Sequence, residues 1–104
     1  MSTKEISVAE DFSRYPIGRT REESAYCGDV FRERHLVPAF KNAQTVHVNL
    51  DGTAGYGSSF LDQAFGGLVR YEGYTADELH QRLKLTSNDD ESLIAETWGY
   101  INDA

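Results

Sequence analysis

Two adjacent serines, Ser58 and Ser59, are the residues of this chain whose type and placement most favour chemistry. They follow a glycine-rich stretch, residues 51–57, and precede apolar residues with helical spacing, so we expect them at the start of a helix. A serine there can cap the helix by accepting a bond from a free backbone N–H. One serine suffices for the cap, which leaves the second hydroxyl available to a ligand or partner protein.

Other polar residues surround this serine pair. The candidate site residues are Asp51 and Gly52 after the preceding strand, Tyr56 and Gly57 at the end of the loop, and Asp62 in the first turns of the helix. The two acids could form a carboxylate pair, but Asp-Gly is typical of a turn and an early helical acid is favoured by the helix dipole. We expect Tyr56 to be exposed at the loop tip, where an aromatic residue suits a contact surface.

One loop of this acidic chain concentrates the arginines Arg14, Arg19 and Arg21. Guanidinium groups match phosphate and carboxylate in a bidentate manner, so anion capture is one interpretation and a solvated loop is the other. Arg19 follows Gly18 in a turn. We therefore predict that Arg19 approaches the 51–57 loop or the helix start at Ser58.

Strands and helices alternate along the chain that must position these residues. Strands are expected near residues 5–11, 45–50 and 83–87, and helices near 24–35, 58–72, 76–83 and 88–101. We expect Pro38 to disfavour helix at Val37 and to open a short separate turn. The pattern predicts an α/β fold, a small mixed β-sheet packed with about four helices in one domain spanning residues 1–104.

Several classes of function are disfavoured by composition and spacing. The formal net charge of -7 argues against binding to nucleic acid. No apolar run approaches the roughly 20 residues that span a bilayer, so no membrane association is expected. The histidines lack the spacing of metal ligands, and a single Cys27 fits a reducing cytoplasm. We therefore predict no metal, no cofactor and no catalysis.

The segment from Thr45 to Val69 resembles the STAS domain (sulphate transporter and anti-sigma factor antagonist). The whole chain is more closely similar to the STAS-like family of unknown function, often found beside or fused to histidine-kinase-type ATPase domains. The resemblance extends over about residues 5–101. The matching pieces are Gly18-Arg19, Gly28 with Phe31-Arg32-Glu33 and Leu36, and Ser58-Ser59-Phe60-Leu61-Asp62 with Ala64-Phe65-Gly66.

This resemblance implies a regulatory, non-enzymatic protein-interaction module. Its partner would be an ATPase-fold or histidine-kinase-like regulatory protein, and the module itself would be a monomer or a homodimer. Ser58 aligns with the serine that such kinases phosphorylate, although Gly57 stands where the family motif has an acid. The alternative is a small-molecule or nucleotide sensor that binds an anion at the helix N-terminus with help from Arg19.

Overall fold

Three short parallel strands form the centre of the fold. In the computed structural model, which describes residues 2–104, these strands are β1 (Thr3–Ser7), β2 (Thr45–Asn49) and β3 (Leu83–Thr86). β2 lies in the middle and pairs in parallel with both neighbours. The predicted α/β class is confirmed. The sheet is parallel throughout rather than mixed, because helical crossovers return the chain to the same end before each new strand.

Side chains along β2 alternate between a buried and a polar face of the sheet. Val46 and Val48 are fully buried against the helices. On the opposite face, the His47 ring bonds through Nδ1 to Glu5 of β1 at 2.6 Å and through Nε2 to Thr86 of β3 at 2.5 Å. A polar row thus crosses all three strands on the face away from the core.

The first helix, α1, covers residues 28–42 in three consecutive parts. These are an α-helical start (Gly28–Phe31), a π-helical middle (Arg32–Leu36) and an α-helical end (Val37–Asn42). The prediction that Pro38 begins a separate turn is therefore wrong. In the π-helical part the Val37 N–H donates to the Arg32 carbonyl, five residues earlier. This wider turn rearranges the bonding just before Pro38, which has no N–H to donate.

Two predicted boundaries near the N-terminus are also wrong. The first strand ends at Ser7, and a π-helical turn (Val8–Phe12) replaces its expected continuation. The first helix begins at Gly28 rather than near Ser24, because residues 17–19 pair with residues 26–29 instead. In that pairing the N–H groups of Ile17 and Gly28 donate to carbonyls across the loop at 3.0 and 2.9 Å.

The second long helix, α2, covers residues 58–72 on the same plan. It consists of Ser58–Leu61, a π-helical middle (Asp62–Gly66) and Gly67–Glu72. Gly73 ends it in the left-handed conformation, with φ of 81°, as predicted. The predicted core face is confirmed, since all of the following are fully buried: Leu61, Ala64, Phe65 and Leu68.

Glycines allow the two long helices to come close together. A Cβ atom at Gly28 would lie 2.8 Å from the Phe60 carbonyl oxygen and 2.9 Å from the Ala64 nitrogen. One at Gly67 would collide with the side chain of Arg32 of α1. Close packing is therefore what compensates for glycine inside these helices.

Two shorter helices complete the fold. α3 (Ala76–Arg82) is capped by the Thr75 hydroxyl, which accepts a bond from the Glu78 N–H at 3.1 Å. α4 (Ser92–Asp103) buries Ile101 and packs across the π-helical part of α2. Within residues 2–104, no helix has both the length and the apolar character needed to cross a membrane.

Candidate functional site

The 51–57 loop leaves the carboxyl end of β2 and is fixed to the loop that follows β3. The Asp51 carboxylate accepts bonds from the backbone N–H groups of Asn88 and Asp89, both at 2.8 Å. The Gly52 N–H donates in turn to the Asp89 carboxylate at 3.0 Å. The Asp51 carboxylate therefore joins the loop after β2 to the loop after β3, and its oxygens already accept hydrogen bonds.

Tyr56 is a second anchor of the 51–57 loop. Its hydroxyl donates to the Leu50 carbonyl at 2.8 Å, and its ring lies 5.9 Å from that of Phe60. Burial raises the pKa of Tyr56, so the phenol stays neutral at physiological pH. The expectation of an exposed aromatic contact at the loop tip is wrong, because the ring is half-buried and contributes to the core.

The serines begin α2 without capping it. Gly57 is the N-cap residue, and no side chain bonds to the free N–H groups of the first turn. The expectation that one serine serves as the cap is therefore wrong. Ser58 is exposed and Ser59 is half-buried. Both hydroxyls are free of the role that a helix start usually gives to serine.

Asp62 lies one helical turn after Ser58 and is held by two arginines. Arg19 donates to its carboxylate at 2.8 Å, and Arg70 donates to the other carboxylate oxygen at 3.0 Å. Arg70 also donates to the Asp62 carbonyl at 2.9 Å. The predicted approach of Arg19 to the helix start is confirmed. Asp51 and Asp62 share no bonding partner, and each acid has its own set.

The electrostatics of Asp62 follow from these contacts. Partial burial by itself would raise the pKa of the carboxyl, but the hydrogen bonds and charges of Arg19 and Arg70 together lower that pKa below its ordinary value. Asp62 is thus ionised at neutral pH. The cluster is a closed arrangement of one anion and two cations.

Tyr100 of α4 lies beside the helix start. Its hydroxyl donates to Glu96 at 2.7 Å, and this bond is the main cause that raises the pKa of Tyr100, whereas the Ser58 hydroxyl opposes the shift. Ser58 therefore lies beside a phenol that is itself bonded to Glu96, and one helical turn before Asp62. A negative group added at Ser58 would lie close to the negative charge of Asp62.

The two remaining arginines of the loop differ from Arg19. Arg21 pairs with Glu33 of α1 at 2.5 Å on the surface. The Arg14 carbonyl accepts the Ala54 N–H at 2.8 Å, which joins the arginine loop to the 51–57 loop. The loop that contains Arg14, Arg19 and Arg21 thus supports the site through its backbone and through the side chain of Arg19.

Arg70 is a residue of the site that sequence reasoning missed. It is eight positions after Asp62, beyond the spacings of three and four at which helical side chains usually meet. The π-helical part lies between them and changes how the turns align. The signal in the sequence for this contact is that Asp62 and Arg70 lie on either side of Gly66-Gly67.

Three surface grooves among residues 2–104 are lined by residues other than the two serines. One of them, about 260 Å³, lies beside Arg14, Asn49, Asp51 and Gly52. Among residues 2–104, no three His, Cys, Asp or Glu side chains are grouped to hold a metal ion. The site is an exposed surface supported by a well-anchored loop.

A family model described as a STAS-like domain of unknown function (DUF4325) matches residues 28–93. The match begins at the first residue of α1 and reaches α4, so it includes the 51–57 loop, both serines and Asp62, whereas Arg19 lies before it. No curated protein and no solved structure matches the chain.

Proposed function

Because this chain belongs to the STAS-like family of unknown function, we propose that it is a non-enzymatic regulatory module that binds another protein. The binding surface consists of the 51–57 loop, Ser58, Ser59 and the exposed side of α2 near Asp62. The partner is an ATPase-fold or histidine-kinase-like protein, the class that the family resemblance implies.

The observation that carries this proposal is the pair of serines that do not cap their helix. Gly57 takes the cap position, and Ser58 is exposed. The loop before them is anchored through Asp51 and Tyr56, so the serines are presented by a rigid support. Rigid presentation lowers the entropy lost on binding, which favours a contact surface.

Phosphorylation of Ser58 is the proposed means of regulation. A phosphoserine would bring nearly two negative charges to a position beside Tyr100 and one helical turn before Asp62. It would also compete with Asp62 for Arg19, whose guanidinium lies one turn away. Both effects change the charge of the surface without touching the core, and they weaken a contact formed with the unmodified serine.

The experiment that tests the proposal is a binding measurement with the ATPase-fold protein encoded beside this chain. Ser58→Asp should fold normally, because a negative charge is tolerated at a helix start. Binding by calorimetry should weaken by at least about 2–5 kcal/mol, since an unpaired charge at a desolvated interface is costly. Gln81→Glu, which adds the same charge at an exposed site on α3, is the matched control.

An unchanged affinity for Ser58→Asp in a folded protein would move the binding surface away from the serines. The alternative of an anion sensor at this helix start has less support. Arg19, the cation it would use, already donates to Asp62. The three grooves described above, all among residues 2–104, are lined by residues other than Ser58 and Ser59.

A further inference from the structure

A groove of about 630 Å³ lies between β1 and the second half of α1, away from the serines. β1 is an edge strand, so this side of the sheet has no strand beside it. Its volume is within the range of pockets that hold small ligands. The apolar residues that line it are Ile6, Pro38, Ala39 and Ala43.

The charged side chains of this groove differ in their bonding. The acids are engaged, since Asp11 accepts the Ser7 N–H at 2.7 Å and Glu5 bonds to the His47 ring at 2.6 Å. The cations are not. Among residues 2–104, neither Lys4 nor Arg34 forms an ion pair with an acidic side chain. The two cations of the groove are exposed and have no fixed acidic partner, so both can contact a ligand.

His35 places an imidazole beside these cations. Its ring lies between Phe12 and Phe31, with both ring centroids at 5.6 Å. Burial lowers the pKa of His35, Arg34 and Lys4 lower it further, and Asp11 opposes them. The ring is thus neutral at physiological pH and offers one N–H donor. Arg34 and His35 belong to the π-helical part of α1, and such irregular turns are frequent at functional sites.

We propose that this groove binds a small organic anion, with its carboxylate or phosphate group between Lys4 and Arg34 and its apolar body along Ile6 and Pro38. A guanidinium matches either head group in a bidentate manner. The chain has a net charge of -7 and repels anions in general, whereas the lining of this groove has as many cations as acids, and the acids are already hydrogen-bonded. This inference stands apart from the protein-binding surface, which Ser58→Asp tests without altering the groove.

The test is calorimetric titration of the whole chain with phenyl phosphate and with benzoate, using benzyl alcohol as the uncharged counterpart. We expect one site that saturates with at least one anion and not with the alcohol. Arg34→Gln and Lys4→Gln should each weaken binding at least about tenfold, the effect of losing one charge-assisted contact. Lys41→Gln removes an exposed cation from the same helix outside the groove and should leave the affinity unchanged.

A second readout is the NMR titration of His35. A bound anion favours the charged imidazolium, so the pKa of His35 should rise when the anion is added and stay unchanged in Arg34→Gln. The proposal is overturned if neither anion saturates the chain by about 10 mM, a concentration above weak millimolar binding. Equal binding by folded Arg34→Gln, or by benzyl alcohol, would overturn it as well.

Discussion

The two long helices share one plan and use it differently. α1 and α2 each consist of four α-helical residues, five π-helical residues and six α-helical residues. In α2 the residues after Asp62 in the π-helical part are all buried beneath α1 and α4. In α1 the π-helical part buries Arg32 and Leu36 but reaches the surface between them, with Arg34 exposed and His35 half-buried.

The difference shows what a π-helical turn offers a protein. In α2 two carbonyls of the wide turn accept bonds from arginines: Arg32 donates to that of Gln63 at 2.6 Å, and Arg70 donates to that of Asp62. In α1 the wide turn admits Pro38 and displays side chains beside a groove. The buried π-helical turn of α2 stabilises the core, whereas the partly exposed turn of α1 presents polar side chains beside a groove.

The largest expected loss of stability comes from removing the hydrogen bonds that reach the buried π-helical turn of α2. Arg32→Ala should reduce the free energy of unfolding by about 3–5 kcal/mol, because it leaves buried acceptors unpaired. Arg32 is 4% exposed and binds Asp29 at 2.8 Å, Glu72 at 2.9 Å and the Gln63 carbonyl. Urea unfolding measures the loss.

Arg34→Ala is the control in the open turn of the same helix. Its side chain is exposed, so its removal should change stability by no more than about 0.5 kcal/mol. Both arginines belong to the π-helical part of α1, but only Arg32 donates to the π-helical part of α2. Similar losses for the two variants would show that this contact with the buried turn of α2 does not stabilise the fold.

A smaller effect concerns the close approach of the two helices. Gly28→Ala should destabilise the fold by about 1–3 kcal/mol, because the added methyl group meets the backbone of α2. Gly99→Ala lies in α4 with open space around it, so it should stabilise by up to about 1 kcal/mol. Thermal melts of the two variants should shift in opposite directions, and a gain in stability for Gly28→Ala would contradict the packing described.

The smallest effect concerns the Asp62 cluster. Asp62→Asn should cost about 1 kcal/mol at neutral pH, a value limited by the partial exposure of Arg19. The folded pKa of Asp62 is lowered, so its stabilisation is present above the unfolded carboxyl pKa, near 3.8, and is lost as pH falls through the folded value. Urea melts of the parent and variant should therefore converge in acid. A constant difference at all pH values would show that the charge of Asp62 does not stabilise the fold.

Features with a local cause were predictable from the sequence. The stripe of Leu61, Phe65 and Leu68 marked the core face of α2, and Gly73 marked its end. The approach of Arg19 to the helix start also followed from its turn and from the family resemblance. Local periodicity and turn chemistry carry this information.

Features that depend on tertiary contacts were not predictable from the sequence. Pro38 indicates a helix boundary by itself, and only the preceding π-helical turn allows the helix to continue. In the sequence Tyr56 is a plausible exposed aromatic residue. Only the fold shows that its hydroxyl donates to the Leu50 carbonyl. Lys4 and Arg34 are 30 positions apart, so no local pattern reveals that they line one groove.

The free edge of β1 also affects how copies of this chain meet at high concentration. The Thr45 N–H bonds to the Ser2 carbonyl, so alternation turns the backbone groups of Thr3, Glu5 and Ser7 outward. Asp11 already occupies the Ser7 N–H. Exposed strand edges are the usual templates for aggregation, and a side-chain carboxylate here blocks part of the template.

Charge also disfavours self-association along that edge. If two β1 strands paired in an antiparallel manner about the central residue, Glu5 would face Glu5, and a shift of the centre by one residue towards the N-terminus would place Lys4 against Lys4. Like charges directly opposite each other are unfavourable in a sheet. The edge that borders the groove therefore disfavours these two antiparallel pairings between copies of the chain.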